Sequence, residues 1–187
     1  MAASTRRFLS ALIVPLIILL ALPIAVVLLI PAPSWDWAAH APGSLIATLF
    51  GLATIALGLQ LFIASVLLFA RHGEGSIMPW DPTERLVVQG IYRHMRNPMH
   101  TGVFLVLLGE GFLLRSTPLL ILTAAMVVLH LFYIPLSEER GLERRFCEAY
   151  REYKRNVPRW IPRLTPWEPP NPSEQQRDAP CERVYGS

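Results

Sequence analysis

Two adjacent carboxylates, Glu138 and Glu139, follow directly on an apolar segment of membrane length. A second polar run, Tyr92-Arg93-His94-Met95-Arg96-Asn97-Pro98-Met99-His100, stands at the mouth of another apolar segment. Charged groups where helices leave a bilayer are costly unless they bind something. Here they converge on one membrane face, so a site is expected there. Pro98 biases Asn97 to an extended backbone, which exposes N–H and C=O groups near the membrane. Those groups need partners, and a polar cofactor or water would supply them.

Glu138 and Glu139 have a plainer reading as well. Ser137 suits a helix N-cap, and acids in a first turn favour the helix dipole. That account needs only one acid. On a helical wheel both fall within about 60° of the apolar side marked by Leu142, Phe146, Ala149, Tyr150 and Tyr153. They are therefore expected to face protein or a cavity. The Tyr92–His100 run likewise has a plainer reading as an interfacial anchor.

The elements that position these groups are set by hydropathy. Of 187 residues, 52% are hydrophobic, and mean hydropathy is positive. Four segments approach the roughly 20 apolar residues of a span, near 8–30, 45–70, 99–114 and 119–136. The third is short and needs tilt or local thinning. The fold class is therefore all-α: a multi-pass membrane protein with about four transmembrane helices and a C-terminal amphipathic helix. Sixteen of the seventeen basic residues are Arg, and they crowd the termini and the loop after the second segment. The loop over 31–44 has none. This asymmetry puts both termini in the cytoplasm. The first segment is expected to be a retained helix, because its apolar run is long for a cleaved signal. Three regions are expected: 1–83, a two-span region with its loop; 84–164, which carries the candidate site; and 165–187, a Pro-rich tail expected to be disordered.

Within the spans, Gly51, Gly58, Thr54 and Ser65 permit close helix packing, Pro15 and Pro23 predict a kink in the first segment, and Pro135 closes or kinks the fourth. Arg115-Ser116-Thr117-Pro118 predicts a tight helical hairpin with Pro118 in the next first turn. Glu110 and His130 are lone ionisable residues inside spans. His130 lies nearer the expected cytoplasmic end and is a substrate-side candidate, as is Arg159. Cys147 and Cys181 form no pair-spacing motif, so neither a disulfide frame nor a metal cage is implied.

The pattern Leu86-Val87-x-x-Gly90-x-Tyr92, Arg96-x-Pro98, Gly102, Glu138-Glu139-x-x-Leu142, Phe146, Tyr150, Tyr153 and Val157-Pro158 resembles the isoprenylcysteine carboxyl methyltransferases and the related bacterial phospholipid-type methyltransferases. The resemblance covers about 84–164. It implies an integral membrane enzyme that uses S-adenosylmethionine at the cytoplasmic face, with a lipid or other hydrophobic acceptor entering from the bilayer. No nucleic acid partner is expected. By position, Leu86, Val87, Tyr92, Arg96, Asn97, Pro98, Met99 and His100 would line the cofactor. Glu138 would hold it, and Glu138 and Glu139 would form the catalytic pair. The chain departs from the family in having Asn97 where His is common, His100 where Tyr is usual, Ile134 where an Arg binds the substrate carboxylate, and Cys147 where Gly is frequent. The Ile134 departure puts a prenylcysteine substrate in doubt; the Cys147 departure is expected to change little. Two other readings remain: a membrane reductase using NADPH, or a non-catalytic scaffold.

Overall fold

The structure, a computed structural model, describes residues 17–30, 42–72 and 86–168, without the side chains of 69–72. The start of the first segment, Pro15, most of both long loops, the residues around Glu84, Cys181 and the tail beyond Glu168 lie outside the described residues. Among the described residues every regular element is helical. A π-turn, Ile17–Ala21, leads into α1 (Leu22–Leu29). Then come α2 (Gly43–His72), a 3-10 turn at Gly90–Arg93, α3 (Pro98–Leu113), α4 (Thr117–Tyr133), a π-turn at Ile134–Glu138 and α5 (Glu139–Asn156). Two helices are long and apolar enough to cross a membrane, Gly43–Leu68 and the apolar start of Thr117–Asn156. Ile17–Leu29 and Pro98–Leu113 are apolar but shorter; the sixteen residues of α3 reach about 24 Å.

The chain divides into two compact units. The first comprises Met1–Val66 and Met99–Val128. Its packing is set by residues without side chains. A Cβ on Gly58 would lie 2.6 Å from the Gly102 carbonyl oxygen, and one on Gly109 would lie 2.6 Å from that of Gly51. The two pairs are seven residues apart on each helix, so α2 and α3 run antiparallel at near backbone contact, the arrangement small residues allow in membranes. Gly51 and Gly58 carry the packing role read from the sequence; their partners are Gly102, quoted above only within the family pattern, and Gly109. Around this seam Leu19, Phe62, Val66, Val103, Val106 and Leu107 form an apolar core, flanked by Ile18, Met99 and Met126. Phe50 and Phe112 meet edge to face at 4.7 Å between centroids. The buried hydroxyls of Thr54, Ser65 and Thr123 donate back to carbonyls of their own helices, so they cost little in the apolar interior.

The α3–α4 hairpin is as tight as expected. Arg115 takes a left-handed φ of 53°. Its N–H donates to Phe112 O, and the Ser116 N–H donates to Gly111 O. This is the bonding of a Schellman stop, whose left-handed position usually belongs to glycine. Ser116 Oγ then accepts from Leu119 N at 3.4 Å and caps α4.

The second unit comprises Leu67–Pro98 and Leu129–Ser187. Here Pro135 does not end the helix. It removes one N–H and crowds the preceding turn, and the backbone answers by widening into a π-turn, with Glu139 N–H bonded to Ile134 O. Tyr133, Glu138 and Glu139 all keep right-handed helical φ and ψ. Ser137 is therefore not an N-cap: the helix does not begin there, and no side chain caps it. α5 buries Glu139, Phe146, Ala149, Tyr150 and Tyr153 and exposes Arg140, Arg144, Arg151 and Arg155. Phe146, Tyr150 and Tyr153 join Val88, Val157 and Trp167 in a second core.

Cys147 differs from expectation twice. Its φ of 46° and ψ of −123° break α5 locally, in a region that glycine occupies freely and other residues only with strain. A glycine here, as the resemblance implies, would have a backbone reason, and Cys147 is not a neutral replacement for it. The break redirects the chain. An unbroken helix would carry Lys154 about 22 Å past Glu139, yet their side chains meet at 3.2 Å, so the second half of α5 folds back towards the start of the first. Cys147 is also disulfide-bonded. The sequence implied no disulfide frame because spacing rules register only local motifs.

Candidate functional site

The chain after α5 turns back and runs along the 93–97 loop as a strap. Arg96 N–H donates to Pro158 O at 2.9 Å and Asn97 N–H to Arg159 O at 3.2 Å. In return, His94 O accepts from Arg163 N–H and Arg93 O from Trp167 N–H, both at 3.0 Å. The loop's backbone groups, expected to need a cofactor or water, find partners in the strap instead. Side chains tighten the join. Arg93 Nε donates to Trp167 O, His94 Nδ1 lies 2.8 Å from Arg163 O, and Tyr153 Oη donates to Tyr92 O at 2.7 Å. Trp167 is buried, so the packed region runs past residue 165, where a disordered tail was expected to begin.

Where strap, loop and α5 meet lies Glu139, 2% exposed. Its Oε1 accepts from Arg96 Nη1 and Arg159 Nε, both at 2.7 Å. Its Oε2 accepts from Arg159 Nη2 at 2.9 Å and lies 3.2 Å from Lys154 Nζ. Arg159 is bidentate, the geometry that suits guanidinium and carboxylate best. Burial alone would raise the Glu139 pKa. The Arg159 hydrogen bonds and the Arg96 and Arg159 charges outweigh it, holding the carboxyl below its ordinary 4.5. Arg96 also donates Nε to Val157 O at 2.9 Å, and Lys154 turns to Glu143 at 2.8 Å. One carboxylate therefore ties together α5, the loop and the strap.

Glu138 behaves differently. It is half-buried on the widened turn. Desolvation and then the neighbouring Glu139 charge push its pKa above 4.5. The pKa values of the two acids read together from the sequence are thus shifted in opposite directions. Tyr150 is buried against the same cluster, and desolvation followed by the Glu139 charge pushes its hydroxyl up to about 12, so it stays protonated at neutral pH.

The other expected residues distribute as follows. Leu86, Val87, Tyr92, Arg96, Asn97 and Pro98 belong to the same unit as both acids and Arg159. Val87, Tyr92 and Pro98 are buried, and Leu86 packs on the second core. Met99 and His100, the next residues of α3, count with the first unit, where Met99 packs on the apolar core. Arg159, a substrate-side candidate, has its guanidinium engaged by Glu139. His130 is half-buried in the second unit, its ring edge-on to Tyr133. Glu110 lies in the first unit with Oε2 buried and without a hydrogen-bond partner. Lys154 was missed, because a straight helix carries it far from Glu139. The one available signal was position 147, where the glycine frequent in the family marks a place for the backbone to turn.

A half-buried carboxylate suits an ammonium or hydroxyl group of the kind S-adenosylmethionine carries, and Glu138 is the acid in that position. No curated protein and no solved structure matches the chain. A family model, phospholipid methyltransferase, matches residues 46–149, beginning in α2 well upstream of the resemblance at 84–164 and ending in α5 before Tyr150. That match takes in the glycine seam, the loop, the hairpin and both acids over more than half of the sequence, so this chain belongs to the phospholipid methyltransferase family, a family of membrane methyltransferases.

Proposed function

We propose that the protein transfers a methyl group from S-adenosylmethionine to a lipid or other hydrophobic acceptor at the inner face of a membrane. The observation that carries this reading is the division of labour between the two acids. Glu139 is consumed in holding the loop and strap, while Glu138, on the adjacent turn, is half-buried and has an electrostatic state set by desolvation. A half-buried carboxylate suits a ligand that carries an ammonium or hydroxyl groups. Glu138 therefore holds the ammonium or ribose end of the donor. Glu139, placed with it in the expected catalytic pair, acts as a positioning residue. Tyr92, Asn97 and Pro98 form the wall fixed by the strap, and Met99 and His100 follow them directly along the chain. The donor supplies an activated methyl group on a sulfonium. The protein aligns the acceptor and excludes water, with little demand for a strong acid or base.

The same reading has four crossings, both termini cytoplasmic and α5 as an amphipathic helix at the surface, with His130 on the acceptor side. Equilibrium titration of the purified chain with S-adenosylmethionine and, separately, with NADPH tests it. Binding of the first alone supports methyl transfer. Binding of NADPH favours the reductase, and binding of neither the scaffold. Transfer of labelled methyl into a membrane lipid extract then identifies the acceptor class.

A further inference from the structure

We propose that the exposed arginines of α5 dock on the phosphate groups of an anionic bilayer leaflet. Arg140 and Arg144 stand four residues apart before the break at Cys147, and Arg151 and Arg155 four apart after it. Each half of the helix thus shows a guanidinium pair on one side. All four are exposed, while Glu139, Phe146, Ala149, Tyr150 and Tyr153 are buried. Like charges at this spacing oppose helix formation, so the folded chain needs an outside reason to keep them. Acids within the chain supply little relief. Arg151 and Arg155 share the single carboxylate of Glu148, at 3.4 and 3.3 Å, and among the described residues Arg140 and Arg144 form no ion pair. Among the described residues Glu148 is the only carboxylate in an ion pair with these four guanidiniums, and guanidinium is the side chain best matched to phosphate oxygens.

The position of α5 favours a lipid phosphate over an acidic protein. The helix continues without a loop from α4, whose Leu129, Leu131, Phe132 and Tyr133 are exposed as lipid-facing residues are. Arg140 comes seven residues after Tyr133, about 10 Å along the axis. That is about one Debye length from the end of the apolar helix, where basic residues just outside a span are drawn to anionic headgroups. The strap of the same unit adds an apolar component. Ile161 is 77% exposed and Leu164 99%, on a backbone fixed between them by the bond from Arg163 N–H to His94 O. Arginines with fixed, exposed aliphatic side chains are the composition of an interfacial surface.

The full chain in nanodiscs tests this, with hydrogen exchange read over residues 139–156. Replacing a third of neutral phosphatidylcholine by phosphatidylglycerol should slow exchange of α5 by roughly tenfold, an effect removed by molar salt. The quadruple variant Arg140→Gln, Arg144→Gln, Arg151→Gln, Arg155→Gln should lose the slowing, and the same four positions changed to Lys should keep part of it. Equal exchange in both lipids, with wild-type helicity intact, would overturn the proposal. So would a glutamine variant protected like the wild type. Equal protection in neutral discs by soluble inorganic phosphate would reduce the face to a general anion site. Protection by polyglutamate but not by phosphatidylglycerol would assign it to an acidic protein. None of these readouts depends on cofactor binding, so the surface stands or falls apart from the methyl-transfer reading.

Discussion

The two units of this chain solve the same problem with opposite chemistry. In the first, helices approach by removing atoms: Gly51 with Gly109 and Gly58 with Gly102 leave no room for a methyl group, and the core around them is apolar. In the second, the segments are held by a buried carboxylate shared among Arg96, Arg159 and Lys154 and by a strap bonded backbone to backbone. Where the surroundings are lipid, burying apolar surface offers little drive between helices, and close van der Waals contact has to provide it. Where chain segments without regular structure must be fixed at a membrane edge, their polar backbone needs partners, and strong directional groups supply them. The same contrast separates the two acids. Glu139 is spent on holding a scaffold, while its neighbour stays half-buried on the widened turn.

The sharpest way to break the comparison is Glu139→Gln. It leaves Arg96 and Arg159 facing each other without their anion, and a broken buried pair costs about 3–5 kcal/mol; thermal unfolding in detergent should show that loss. The wild-type contribution of this carboxylate is also pH-dependent. Its folded pKa lies below 4.5, so the stabilisation is present above about pH 4.5 and is lost as pH falls through the lowered folded value. In Glu139→Gln that acid-limb loss should be reduced. If the variant unfolds like the wild type, the cage is not what holds the second unit. Next is Gly58→Ala. The methyl would meet the Gly102 carbonyl oxygen, a backbone atom, at 2.6 Å, and overpacking of this kind costs about 1–3 kcal/mol. An unchanged melting temperature would deny the seam its role.

A third substitution separates binding from scaffolding. Glu138→Gln should weaken S-adenosylmethionine affinity about tenfold or more, equivalent to about 1.4 kcal/mol, with little change in melting temperature. Arg144→Gln on the exposed face should leave that affinity unchanged. Because the Glu138 pKa is raised above 4.5, wild-type affinity should climb as pH rises through that shifted value, and the glutamine variant should lose the climb. Equal affinity losses from Glu138→Gln and Arg144→Gln would remove Glu138 from the site. The smallest effect is local: Arg115→Gly places the preferred residue at φ 53° and should stabilise the hairpin by about 1 kcal/mol.

Helical periodicity made much of the second unit legible. The inward set Leu142, Phe146, Ala149, Tyr150 and Tyr153 follows from side-chain types at a fixed angular step, and the structure buries or half-buries each of them. The inward placement of Glu139 follows from the same step. The hairpin at 115–118 was legible because a Ser and a Pro at nearby positions suit a helix start. The reversal at Cys147 was not legible, because a wheel assumes an unbroken helix. Nor was the path of residues 157–167. The strap has no periodicity, and its bonds run to a loop about sixty or more positions away. The same holds for the packing role of Gly102 and Gly109: the family pattern includes Gly102, but only the helix that each meets shows what it does.

The sequence by itself determined that the chain is helical and membrane-associated, which family it belongs to, and which acids lie on an inward face, because hydropathy, periodicity and ordered motifs are local properties. Only the tertiary structure decided which of two adjacent carboxylates is spent on three cations and which stays on a half-buried turn. Electrostatic environment is a property of what comes near in space, and residues 96, 154 and 159 come near Glu139 only once the chain has folded back on itself.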